Sequence, residues 1–158
     1  RGVCATNPRG REMGLARKIT LTAEGRGHPM YEGKPTVFDA FTSHEDEVTH
    51  VGPGTTVLCG NAWSAVQATH MALPHGGVFW GVQYHPEYDL HELARLTFAR
   101  AERLTGMGFF KSVEAAYEYV DDLEALHADP SRRDIAWKLG IDSDVADETV
   151  RCVEVRNW

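Results

Sequence analysis

The segment that most restricts how this chain folds is Val78-Phe79-Trp80-Gly81-Val82-Gln83-Tyr84-His85-Pro86-Glu87. It opens after Gly76-Gly77, is the most apolar of the strand-like runs, and is closed by a proline. A short run rich in β-branched and aromatic residues, bounded by turn formers, predicts a strand, and one this apolar predicts an interior strand. Proline has no backbone N–H and a fixed φ, so pairing stops at His85-Pro86. Behind it the apolar period changes. Leu90, Leu93, Ala94, Leu96 and Thr97 share one face, predicting an amphipathic helix from Leu90 to about Leu104, ended by Gly106 and Gly108.

Four upstream runs also read as strands, at 18–22, 36–41, 55–59 and 65–69. Residues 18–22 alternate polar with apolar, and 55–59 lies between Pro53-Gly54 and Gly60-Asn61. Downstream the pattern is helical. Ser112 caps a helix with Val113, Ala116, Tyr117, Val120 and Leu123 along its stripe, and Asp129-Pro130 ends it. Ser131 caps a third helix to about Lys138, and Asp144 a last one ending near Trp158. The chain thus divides into a strand-rich α/β body, 1–104, and an all-helical extension, 105–158.

Bulk properties exclude several classes. A net charge of −7 does not provide the basic face that nucleic acid requires. No run approaches the roughly 18–20 apolar residues of a membrane span. Cys4, Cys59 and Cys152 are odd in number and lack a framework spacing, which argues against a secreted disulfide scaffold and for a cytoplasmic protein.

Chemistry is expected where the apolar strand ends. His85 and Glu87 flank Pro86, and an imidazole beside a carboxylate is the base-plus-orienter half of a triad. The plainer alternative is a strand-terminating proline followed by a solvated glutamate. A metal site is the rival use of these side chains, with His44, Glu45, Asp46, His50, His85, Glu87 and His91 the richest cluster along the chain. None has the H-E-x-x-H or C-x-x-C spacing of a specific site, so no metal is expected.

Gly81-Val82-Gln83-Tyr84-His85-Pro86-Glu87, between an apolar strand and a helix, resembles the triad signature of class I glutamine amidotransferases. Asn7-Pro8-Arg9-Gly10-Arg11-Glu12-Met13-Gly14 resembles that family's R-E-x-G segment, and Ser43-His44-Glu45-Asp46-Glu47-Val48 its S-H-x-D-x-V segment. Val66-Gln67-Ala68 falls where the family has the strand before the triad strand. The likeness covers roughly residues 1–104 and is nearest to stand-alone proteins similar to the amidotransferase part of GMP synthetase. It implies the C-terminal part of an open, flavodoxin-like α/β sheet. It further implies hydrolysis of the L-glutamine side-chain amide to glutamate and ammonia by a Cys-His-Glu triad, without a cofactor. By the same carry-over His85 is the general base, Glu87 orients it, and Ser43 and His44 hold the amino-acid end of glutamine.

The resemblance also implies a nucleophile in a strand-to-helix elbow of the form G-x-C-x-G. Gly2-Val3-Cys4-Ala5-Thr6 has only the first glycine, and Asn7-Pro8 follows at once. A residue before proline is pushed out of the α region, so no helix can start there. Cys4 is the best of the three cysteines but a poor fit; Cys59 and Cys152 read as small apolar core residues. The nucleophile is therefore expected upstream of Arg1, and the 158 residues are expected to be an N-terminally truncated fragment, inactive alone and folding poorly with part of its sheet missing. Two other functions fit the same residues: a γ-glutamyl hydrolase of this fold, and a degenerate amidotransferase kept as a binding module. No Gly-rich phosphate loop occurs, so an ammonia-accepting synthetase would be a separate chain, for which the aromatic-bearing helical extension is a possible docking surface.

Overall fold

The computed structural model describes residues 1–158. In chain order the elements are β1 (Val3–Thr6), β2 (Glu12–Leu21), α1 (Ala23–Arg26), a 3-10 turn (Pro29–Tyr31), β3 (Val37–His44), β4 (Asp46–His50), β5 (Thr55–Gly60), β6 (Ala68–Ala72) and β7 (Val78–Val82). The helices α2 (Leu90–Ala99), α3 (Ala101–Gly106), α4 (Val113–Ala128), α5 (Arg133–Leu139), α6 (Ser143–Ala146), α7 (Glu148–Arg151) and α8 (Val153–Asn157) follow. They form two compact units: Arg1–Glu87 with Thr149–Trp158, and Tyr88–Glu148. This division differs from the one expected at residue 104.

The first unit is an open α/β body. Its main sheet has the order β3-β2-β5-β6-β7, and β1 pairs with β4 in a separate ribbon; every pairing is antiparallel. The β2–β3 ladder shifts register between Ala16 and Ile19, and Lys18 there takes a positive φ of 52°. A non-glycine residue in that region needs support. Asp39 provides it, accepting from the Lys18 backbone N–H and from the Arg17 guanidinium, both at 2.7 Å. One face of the sheet closes over Ile19, Phe38, Leu58, Ala68 and Tyr84, joined by Met30 and Tyr31 from the 3-10 turn.

The expectation of an interior strand at 78–84 is corrected. β7 is the sheet edge, and Val78 and Phe79 are more than half exposed, while Trp80 and Val82 pack partly against the core. Apolar composition registers burial of one face, and that is all β7 has. The strand expected at 65–69 starts at Ala68 instead, because 61–67 is a loop. The Asn61 side chain accepts from the Trp63 and Ser64 N–H groups, and a Cβ at Gly60 would collide with the Ala65 carbonyl.

The second unit is helical. α2 buries Leu90, Leu93, Ala94 and Thr97, and α4 buries Ala116, Val120, Leu123 and Leu126, each the stripe of a 3.6-residue period. Asp89 caps α2 through the Glu92 N–H at 2.7 Å, and Ser112 caps α4 through the Ala115 N–H at 3.2 Å. The helix expected to reach Leu104 instead breaks at Arg100, whose φ of −119° is not helical. Ser131 does not cap α5: its hydroxyl donates to Asp129, and α5 begins at Arg133. The single terminal helix expected after Asp144 is three short ones, with Asp142 capping α6. No helix is long and apolar enough to cross a membrane.

Candidate active site

Beyond β7 the chain is held by backbone pairing to two other segments. The Gln83 N–H donates to the Gln67 carbonyl and the His85 N–H to the Phe41 carbonyl, each at 2.8 Å. The Gln83 side chain donates to the Asp46 carbonyl at 2.6 Å. Tyr84, between them, is buried, whereas the side chains of His85 and Glu87 are 31% and 56% exposed. His85 Nδ1 lies 2.8 Å from Glu87 Oε1. A carboxylate only accepts, so the ring proton sits on Nδ1 and Nε2 is the nitrogen that can take up or release one. A pair this open to water adds at most about 1 kcal/mol to stability.

Ser43 and His44 end β3, opposite Met13 and Glu12 of β2. Arg11 reaches Ser43 Oγ at 3.3 Å and Glu45 at 2.9 Å. His44 Nε2 is 2.9 Å from the Glu12 carboxylate and Nδ1 is 2.9 Å from the Asp46 carbonyl. Both ring nitrogens are therefore engaged by acceptor groups of the protein. Glu12 is buried and also accepts from Asn61 at 2.7 Å and Gln67 at 2.9 Å. These contacts join the two motif segments, but they direct both His44 nitrogens into the protein.

Tyr84 anchors His85 from beneath. Its hydroxyl donates to Glu154 Oε1 at 2.6 Å and lies 2.8 Å from the Tyr31 hydroxyl, which lies 3.3 Å from Cys59 Sγ. With the Tyr84 proton given to Glu154, the donors run Cys59 to Tyr31 to Tyr84 to Glu154. Lys34 completes the set, donating to Glu154 Oε2 and the Arg151 carbonyl at 2.9 Å and to the Val150 carbonyl at 3.0 Å. Burial raises both tyrosines above their ordinary range and pushes the Cys59 thiol up to about 12. Cys59 is therefore a core thiol, as its position in an ordinary strand implies.

Cys4 sits on the exposed β1–β4 ribbon, with no helix after it. Cys152 departs from the core reading: it is partly exposed, and its thiol donates to the Pro86 carbonyl at 3.1 Å. No group of three or more His, Cys, Asp or Glu side chains converges to hold a metal ion. A cavity of about 440 Å³ adjoins the pair, lined by His85 and Glu87 together with Trp80, Val82, Val155 and Trp158.

The sequence reading missed Glu12, Asn61 and Gln67 as supports of His44, and Lys34 and Glu154 as supports of Tyr84. For Glu12 a signal existed, since it lies inside the R-E-x-G segment; for Glu154, 70 residues from Tyr84, none did.

Residues 7–101 match the sequence model of the family described as Glutamine amidotransferase class-I. The gamma-glutamyl-L-1-hydroxyisopropylamide hydrolase of a Pseudomonas species is 32% identical over 151 residues, covering 93% of this chain and 49% of that protein. The chain thus spans about half the length of this curated relative. Among solved structures, a glutamine amidotransferase from Thermotoga maritima has a TM-score of 0.57 at 16% identity, over 85% of this chain and 55% of that one. The protein SMU.1228c has a TM-score of 0.52 at 18% identity, over 78% of this chain and 56% of that one. At such identities the likeness to both structures is one of fold.

Proposed function

Because the chain belongs to the class-I glutamine amidotransferase family, we propose that the protein containing it hydrolyses a γ-glutamyl side-chain amide through a Cys-His-Glu triad, with His85 the acid–base and Glu87 its orienter. The observation that carries this is the 2.8 Å contact between His85 Nδ1 and Glu87 Oε1 at the end of β7, which assigns the ring proton to Nδ1 and the acid–base role to Nε2.

In this reading a cysteine thiolate attacks the γ-carbonyl carbon. A C–S bond forms, the C–N bond breaks, and the proton held at His85 Nε2 goes to the departing nitrogen. Water then attacks the thioester, giving up a proton to Nε2, so that glutamate leaves and the thiolate returns. Glu87 stabilises the imidazolium that gives up its proton in the first half and forms again in the second. The segment Ser43–His44, pinned by Arg11 and Glu12, contacts the amino-acid end of the glutamyl group. With both His44 ring nitrogens engaged, that contact is made by Ser43 and the backbone. The nucleophile lies outside these residues, upstream of Arg1: Cys4 has no elbow, Cys59 is buried, and Cys152 lies between two short helices with its Sγ on the Pro86 carbonyl.

L-Glutamine is the simplest substrate, its ammonia passing to a synthetase on a separate chain in the cytoplasm. A γ-glutamyl amide with a larger amine is the second reading. It is supported by the relative named for such a hydrolysis and by the apolar cavity beside His85.

The test uses the longest natural chain that contains these residues, with glutamate release as the readout. Hydrolysis of glutamine or a γ-glutamyl amide, lost by about 10²-fold or more in His85→Ala, is the expected result. Full activity in His85→Ala removes the triad. No hydrolysis by the unaltered protein supports a binding module, and turnover by the 158-residue chain alone means the nucleophile has been misplaced.

A further inference from the structure

We infer that the cavity beside His85 is the subsite for the leaving amine, and that it selects amines bearing an apolar substituent up to the size of a benzyl group. The inference rests on the reading of His85 as the group that protonates the leaving nitrogen. That nitrogen must come within about 3 Å of Nε2, so whatever it carries begins at the imidazole. His85 and Glu87 themselves form part of the cavity wall.

The rest of the wall is apolar or has its polar atoms already committed. Trp80 and Val82 present partly buried surface, and Val155 and Trp158 contribute exposed apolar surface, Trp158 at 71%. The Trp80 indole N–H donates to His70 at 3.0 Å, and the Tyr84 hydroxyl donates to Glu154. The two Glu154 oxygens accept from Tyr84 and Lys34. Ammonia would find little to bond in such a wall, whereas an alkyl or aryl group would remove apolar area from water.

The volume of about 440 Å³ also exceeds what ammonia needs. A cavity of roughly 150 Å³ already admits benzene. Glu87, more than half exposed at the edge, suits an amine that departs as its ammonium ion. The overall change is γ-glutamyl–NHR plus water to glutamate plus R–NH₃⁺, the substituent R lying in the cavity.

The experiment compares kcat/KM for glutamine and for the γ-glutamyl amides of methylamine, isopropylamine and benzylamine, in the longest natural chain. A rise of about fourfold per methylene buried is expected, hence more than tenfold from methyl to isopropyl. Trp158→Ala and Val82→Ser should each lower the ratio of benzylamide to glutamine at least tenfold. Because Trp158 is largely exposed, its truncation leaves the fold intact. Calorimetric titration with benzylamine and methylamine reads the subsite without turnover. Turnover with a flat or falling series and no preference for benzylamine overturns the subsite and leaves the amidase standing. No turnover, but benzylamine bound in preference to methylamine and lost in Trp158→Ala, keeps the cavity as an apolar-amine site and removes the amidase. Failure of both arms removes both.

Discussion

Replacing Lys34 by methionine tests whether the C-terminal segment holds the strand of His85 in place. Lys34 and Glu154 are 1% and 2% exposed at the side chain, and their 2.9 Å contact is shielded from solvent. Methionine fills most of the volume but removes the charge and the donors to Glu154 and to the Val150 and Arg151 carbonyls. Breaking a buried pair from one side costs about 3–5 kcal/mol, because the remaining charge stays buried. The expected loss is about 4 kcal/mol, the middle of that range. That is a large share of the roughly 5–15 kcal/mol that stabilises a domain. With a urea dependence of about 2 kcal/mol per molar, the midpoint should fall by about 2 M, followed by circular dichroism on the longest natural chain. The double variant Lys34→Met, Glu154→Leu should recover most of it, since no charge is left unpaired. A loss below about 1 kcal/mol in the single variant would show that water reaches the pair and would refute the reasoning.

Three further outcomes are expected. Glu87→Gln should lower kcat by roughly tenfold to a hundredfold, less than for a buried orienter, since water can partly replace an exposed carboxylate; an unchanged rate removes its role. Burial, and then the neighbouring His70, lowers the pKa of His28 from 6.5. The folded state therefore binds fewer protons there, so its contribution to stability is complete above about pH 6.5 and is lost as pH falls below that toward the lowered folded value. Urea midpoints at pH 7.5 and 5.5 should differ less in His28→Gln. Finally, a thiol reagent at pH 8 should label exposed Cys4 at once and Cys59 only on unfolding, because burial pushes the Cys59 thiol up to about 12; prompt labelling of Cys59 in the native protein would contradict its burial.

Local patterns carried much of the fold. The α2 and α4 stripes and the Ser112 cap need contacts only three or four residues apart, so periodicity exposed them. Where the pattern misled, a longer-range contact decided the outcome. The apolarity of β7 could not distinguish an edge from an interior strand, because position in a sheet depends on which strands find one another.

The candidate site divides in the same way. His85 and Glu87 are two residues apart, with proline between them, so their pairing is a local matter and was written in the sequence by itself. The family likeness was also legible there, since motifs in order survive without coordinates. Only the tertiary structure placed Glu12 under His44 across 32 residues, Tyr84 on Glu154 across 70, and Lys34 on Glu154 across 120. Contacts at such separations leave no period in the chain. They are selected by burial, which obliges each polar group removed from water to find a partner wherever the fold brings one.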